Sequence, residues 1–301
     1  MNHHPPTPEF QTAAAPAGCR PGDFGLWTLD FGLPPLRRAF TLLELLMVIA
    51  IMGILAAIAL PTIRGMKPNA KVAATRQLLD AVGRARQLAL SQRTTVYMVF
   101  LSTNFWNGYD SWSQTNKDSV QPLLDKQLTG YAYVSLRSVG DQPGAHTPRY
   151  LSPWRTLPQG AFIPLDKFGP SSLTLTNTTL GPSVYIRPFA TTNNSTVLPG
   201  VPPNGIPFPS EDNPITTSLP PLPYIAFDGT GQLVSGQPGQ PELIPLSEGS
   251  VTCARDPSTK LALAQPAVAI EQPPGNTREN YSLIYIDPLT GRAHVEHRSV
   301  Q

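Results

Sequence analysis

Glu44 is the one charged side chain in the run Phe40–Leu60, FTLLELLMVIAIMGILAAIAL. A carboxylate in a membrane-length apolar helix costs on the order of 2.5–3.5 kcal/mol on insertion scales and calls for a cationic partner. Directly before the run stand Arg37 and Arg38, a basic pair, followed by Ala39 and Phe40. The remaining reactive residue types are scattered. His294 and His297 are three apart in a segment that reads as a strand, where they face opposite sides, so no joint metal site is expected. The two cysteines, Cys19 and Cys253, allow at most one bridge and no CxxC metal site. Asp228-Gly229-Thr230-Gly231 has the composition of a tight turn, and no helix follows it to make a phosphate cradle. GxSxG, HExxH and phosphate-loop patterns do not occur. The expectation is a protein that is not an enzyme and has neither cofactor nor metal.

Composition supports that reading. Charged residues make up 14% of the 301-residue chain and the formal charge is +2, so no long-range field points to nucleic acid. There are 35 prolines, a sign of many loops and irregular edges. The run at 40–60, about 21 residues long, would span roughly 30 Å as a helix, the thickness of a bilayer hydrocarbon core. A secretory signal peptide would have a shorter apolar core, of about 7–15 residues, with its cleavage site after it.

The elements follow in order. Residues 1–39 read as an unstructured leader rich in Pro, Gly and Ala. Residues 40–61 form the apolar half of a helix that Pro61 is expected to kink, with Pro68 a second possible break. Residues 62–93 form its amphipathic half, with Ile63, Met66, Ala70, Ala74, Leu78, Val82, Ala85 and Ala89 on one stripe. Arg64, Lys67, Lys71, Arg76, Arg84 and Arg86 fall mostly off it. Residues 94–301 read as a β-rich head. Its expected strands are Thr94–Leu101, Tyr131–Arg137, Ser172–Thr176, Ser183–Phe189, Tyr224–Asp228, Lys260–Ala264, Ala267–Glu271, Tyr281–Asp287 and Arg292–His297. Asp228–Gly231 and Asp287–Gly291 are the expected hairpin turns. Residues 199–223, with nine prolines, are expected to be an exposed irregular loop. Phe105, Trp106, Tyr109 and Trp112 read first as local packing, and second as a patch that contacts a partner. The fold class is α+β: a long N-terminal helix packed by its second half on a mostly antiparallel sheet.

The segment Arg37-Arg38-Ala39-Phe40-Thr41-Leu42-Leu43-Glu44-Leu45-Leu46 resembles the processing signal of type IV prepilins and type II secretion pseudopilins. The resemblance implies cleavage between Ala39 and Phe40 by a prepilin peptidase, which then N-methylates Phe40. It makes Glu44 the assembly residue, paired with the amine of a neighbouring subunit, and gives Gly53 and Pro61 as the helix glycine and kink proline. Two features depart from the usual pattern: Ala39 stands where glycine normally precedes the cut, and the leader of 39 residues is long. A count of basic residues alone would place the N-terminus outside, because Arg64, Lys67, Lys71 and Arg76 follow the run. The processing signal instead requires the leader on the cytoplasmic side.

Ala73–Phe100, Tyr224–Leu233 and Ser282–Glu296 are similar to the corresponding parts of H-type minor pseudopilins; residues 102–222 resemble nothing nameable. The resemblance implies a single-pass protein of the inner membrane whose head is periplasmic and which enters a periplasmic or surface filament. Its implied partners are the peptidase, other pilin or pseudopilin subunits, membrane lipid, and an assembly platform with its ATPase. The rival reading is a filament-tip binding module, an adhesin or a receptor for substrate or DNA.

Overall fold

Period-two alternation in the β-branched and aromatic segments sets the architecture, because successive side chains leave a strand on opposite faces. In the computed structural model the described residues are 41–65, 70–137, 140, 148–169, 172–178, 180–191, 206 and 222–297. The chain divides into two units, Met1–Ile63 and Arg64–Gln301. The fold is α+β, with mixed helices and antiparallel sheets.

In the first unit, helix α1 begins at Leu42 and continues to Gly65, passing through both Gly53 and Pro61. Among the described residues no helix is long and apolar enough to cross a membrane. Side chains of α1 are described as far as Leu55, so the expected span over 40–61 reaches beyond them. Residues 66–69, with Pro68, lie outside the described residues, as does the leader.

The second unit starts with α2, Ala70–Gln92. Ala74, Leu78, Val82, Ala85 and Ala89 are fully buried, as the three-and-four spacing requires. Ala81 and Thr75 join them. Lys71 corrects the expected pattern: it is buried, and its ammonium donates to the carbonyl and to the side-chain oxygen of Asn280. Spacing alone puts it on the stripe, three residues before Ala74. Burial pulls its pKa down, against the charge of Glu248.

The twelve strands of the described residues pair antiparallel in two sheets and one hairpin, and β9 ties the second sheet together. In chain order they are β1 (Val96–Phe100), β2 (Gly130–Ser135), β3 (Arg149–Tyr150), β4 (Arg155–Thr156), β5 (Ala161–Phe162), β6 (Leu173–Thr178), β7 (Gly181–Ile186), β8 (Tyr224–Phe227), β9 (Glu242–Thr252), β10 (Val268–Glu271), β11 (Ser282–Ile286) and β12 (Ala293–His297). The first sheet runs β3-β2-β1-β8 with β4 also on β2; the second runs β10-β9-β11-β12 with β5 also on β9. β6 and β7 form a separate hairpin.

One core joins α2 to the inner faces of both sheets, through Val96, Met98, Phe100, Tyr131, Tyr133, Ile225 and Phe227 from the first, and Ile244, Leu246, Ile284 and Ile286 from the second. The outer faces are covered as well. Tyr97, Val99, Ala132, Val134 and Ala226 of the first sheet pack under Phe105, Trp112, Val120, Leu123 and Leu124, from a segment that includes helix α3 (Gln114–Val120). The β6–β7 hairpin lays Leu173, Leu175 and Ile186 on Leu243 and Leu283 of the second. The unassigned region 102–222 thus supplies both outer covers. Phe105 and Trp112 are buried in the first of them, with Trp106 and Tyr109 packed against it, which is the packing role.

Two strand expectations are corrected. Lys260–Ala264 is irregular, touching the sheet pattern only at an isolated bridge between Arg255 and Ala262. β9, the longest strand, was not among the expected strands; it contains Pro245 and Gly249, residue types that strand interiors seldom hold. Along Glu242–Leu246 its ladder is with β11, and its Gly249–Thr252 end pairs with β10. Of the proline-rich stretch, Ile206, Leu222 and Pro223 are described, and all are buried rather than exposed.

Candidate functional site

Thr41 sits just ahead of α1. Its hydroxyl accepts the amide of Glu44 at 3.2 Å, and its carbonyl accepts the amide of Leu45 at 3.1 Å. That is an N-cap, and the Thr-x-x-Glu spacing is that of a capping box. Glu44 lies in the first turn, where the positive end of the helix dipole favours a carboxylate. From Thr41 to Leu55 every side chain is exposed; Leu42 stands 81% open. An all-round apolar helix needs lipid or other apolar helices against it. A Cβ at Gly53 would meet nothing within 4 Å, so no described neighbour demands a glycine there. Pro61 lacks the amide that would bond the Ala57 carbonyl. Ala39 and Phe40, the expected cleavage and methylation pair, lie outside the described residues.

Residues 35–60 match the family model of the prokaryotic N-terminal methylation motif. No curated protein and no solved structure matches the chain. The matched segment takes in Arg37, Arg38, Ala39, Phe40, Glu44 and Gly53, and stops one residue before Pro61. It indicates an N-terminus of the type IV pilin or pseudopilin kind, with its cleavage and methylation signal. The methylation motif ends within α1, and the head lies outside it.

In the head, both expected turns form around an aspartate. Asp228 accepts the amides of Thr230 and Gln232 and the Thr230 hydroxyl. Asp287 does the same for the amides of Leu289 and Thr290 and the Thr290 hydroxyl, joining β11 to β12. The two turns touch each other and the end of α2: the Leu233 amide donates to the Pro288 carbonyl, and Arg86 donates to the Thr290 carbonyl at 2.7 Å. They are therefore structural, anchoring both sheets to one helix end.

The other candidates separate. His294 and His297 both lie on β12; His294 bonds Glu296 at 2.9 Å and its ring lies 4.8 Å from that of Tyr285. Cys253 is a half-buried free thiol whose pKa burial pushes up, with Asp125 adding and Arg255 opposing. Among the described residues no group of three or more metal-ligating side chains occurs.

One polar feature was invisible in the sequence. Lys167, at the end of a short 3-10 turn, is buried against Glu242 at the start of β9. Its ammonium also donates to the Arg187 carbonyl at 2.7 Å and stands over the Phe189 ring. Burial lowers the lysine pKa, and Glu242 opposes that shift. The partners are 75 positions apart, so no local spacing could signal the pair.

Proposed function

We propose that the chain is a minor pilin or pseudopilin, a structural subunit of a type II secretion-like pseudopilus or a type IV pilus. The observation that supports this reading is the methylation-motif match at 35–60, placed over the start of an apolar helix whose described side chains are all exposed. In this reading the peptidase cuts between Ala39 and Phe40 and methylates the new amine. The apolar helix then waits in the inner membrane as a single span, its head in the periplasm. Other subunits, drawn up by the assembly platform and its ATPase, replace lipid around it.

Glu44 has a defined role in that scheme. Thr41 caps its backbone amide, the helix dipole favours its carboxylate at the first turn, and the amine of an adjoining subunit completes the pair. The pairing offsets desolvation and sets axial register. A head whose two sheets are each covered on their outer face is bulky, which favours a minor position, of the H type, over a repeating shaft.

The test is intact-mass and N-terminal analysis of protein extracted from membranes. A chain starting at N-methyl-Phe40 is the expected result; a chain that keeps residues 1–39 overturns the proposal.

A further inference from the structure

Between α2 and the first sheet lies an open groove of about 580 Å³, lined by Gln77, Asp80, Ala81, Arg84, Tyr131, Tyr133 and Arg155. Its size falls in the range of small-ligand and side-chain sites. The floor is built and held rigid. Tyr131 and Tyr133, from β2, are buried with ring centroids 6.2 Å apart. The Tyr133 hydroxyl donates to the Ala81 carbonyl at 3.0 Å, and the Gln77 amide donates to the Tyr131 hydroxyl at 3.1 Å and the Thr156 carbonyl at 2.7 Å.

The rims differ from the floor. Arg84 comes from α2 and Arg155 from β4, and both are exposed. Among the described residues neither guanidinium has a hydrogen bond or an ion pair. Burial and the neighbouring Tyr131 push the Tyr133 phenol up, while Arg155 and Arg84 pull it down, so both cations act on one hydroxyl. Two guanidiniums lining one groove with a tyrosine floor match a carboxylate, which each can grip through two parallel bonds.

We propose that this groove is a docking site for an acidic side chain of a protein partner. The site is independent of N-terminal processing and stands on the head alone. A protein partner is favoured over nucleic acid by the charge layout. A phosphate backbone demands a run of cations, whereas here two arginines share the rim with Asp80, four residues before Arg84 on the same helix. Asp80 and Gln77 suit the amide or cationic groups that flank a carboxylate on a polypeptide.

The experiment uses the full chain in detergent and three fluorescent peptides of equal length, with Glu, Gln or Lys at the centre. The Glu peptide is expected to bind about tenfold more tightly than the other two. Arg84→Gln/Arg155→Gln should erase that preference, while Arg278→Gln, which removes one charge from the short helix Asn276–Glu279, should keep it. Arg84→Lys/Arg155→Lys, which retains charge without the fork, should weaken binding several-fold at an unchanged melting temperature. If the three peptides bind alike, or none binds, the proposal fails on the parent protein without any variant. Displacement of the Glu peptide by free acetate at equal concentration, or by an oligonucleotide at lower concentration, overturns it in favour of a bare anion or a phosphodiester.

Discussion

Gly291 stands directly against the carbonyl oxygen of Gly231, with no room between them for a Cβ. Both glycines have positive φ, 62° and 82°. The two aspartate turns can therefore nest only while position 291 lacks a side chain. Gly291→Ala should force the turns apart and strain the backbone, a loss of about 1–3 kcal/mol from the conformation alone, with the clash adding to it. Thermal unfolding of the variant beside the parent measures it, and an unchanged midpoint would remove the nested-turn account.

Breaking the Lys167–Glu242 pair from one side should be costly. Glu242→Gln leaves a buried ammonium without its counter-charge, and a loss of roughly 3–5 kcal/mol is expected. Lys167→Met/Glu242→Leu removes both charges and should recover most of that loss. Chemical denaturation of the three proteins decides between a pair and two independent charges.

The α2 stripe makes a packing prediction. Leu78 is fully buried among Ala residues, beneath both sheets. Leu78→Ala should destabilise the head by about 2–5 kcal/mol through a cavity the helix cannot close. Val72, exposed on the same helix, offers the contrast: Val72→Ala should stay within about 0.5 kcal/mol.

Acid should loosen the turns first. Asp256 is held down to about 2 by hydrogen bonds from Ser258 and Thr259, and Asp287 is lowered by bonds from Thr290 and Leu289. A carboxylate depressed in the fold contributes stability above its unfolded value and loses it as pH falls through the folded one. Amide exchange at Ser258, Thr259 and Thr290 should therefore accelerate as pH drops below the ordinary carboxylate range toward about 2. Rates that simply follow intrinsic chemistry would refute this.

Glu44→Gln keeps the shape of the side chain and removes its charge. Cleavage after Ala39 should continue, while incorporation into filaments should fall sharply, read as the ratio of sheared to membrane-bound protein. Undiminished filament incorporation would deny Glu44 any part in register.

Wherever one periodic signal dominated, the sequence was a sound guide. Ala74, Leu78, Val82, Ala85 and Ala89 are buried as their spacing demands; β1, β8, β11 and β12 fall inside the β-branched and aromatic runs, and β2 starts one residue ahead of its run. The failures have physical causes. Lys71 lies on the stripe, yet its charge disguised it; the Asn280 oxygens that receive it are 209 positions away. β9 was hidden by Pro245, which the ladder tolerates, and by Gly249, where a Cβ would collide with the Ile270 carbonyl. The N-terminal motif was legible because its residues are contiguous; the Arg84–Arg155 groove was not, because its walls meet only through strand pairing and the packing of α2 on the sheet.

The burial of Lys167 and Glu242 has a bearing on where this head can work. Dissolved ions weaken exposed charge pairs within a distance of about 8–10 Å at ordinary ionic strength, but they cannot enter a sealed site. The clasp between the 3-10 turn, the Arg187 backbone and β9 is out of their reach. A head fastened in this way keeps its outer cover in brine as in fresh water.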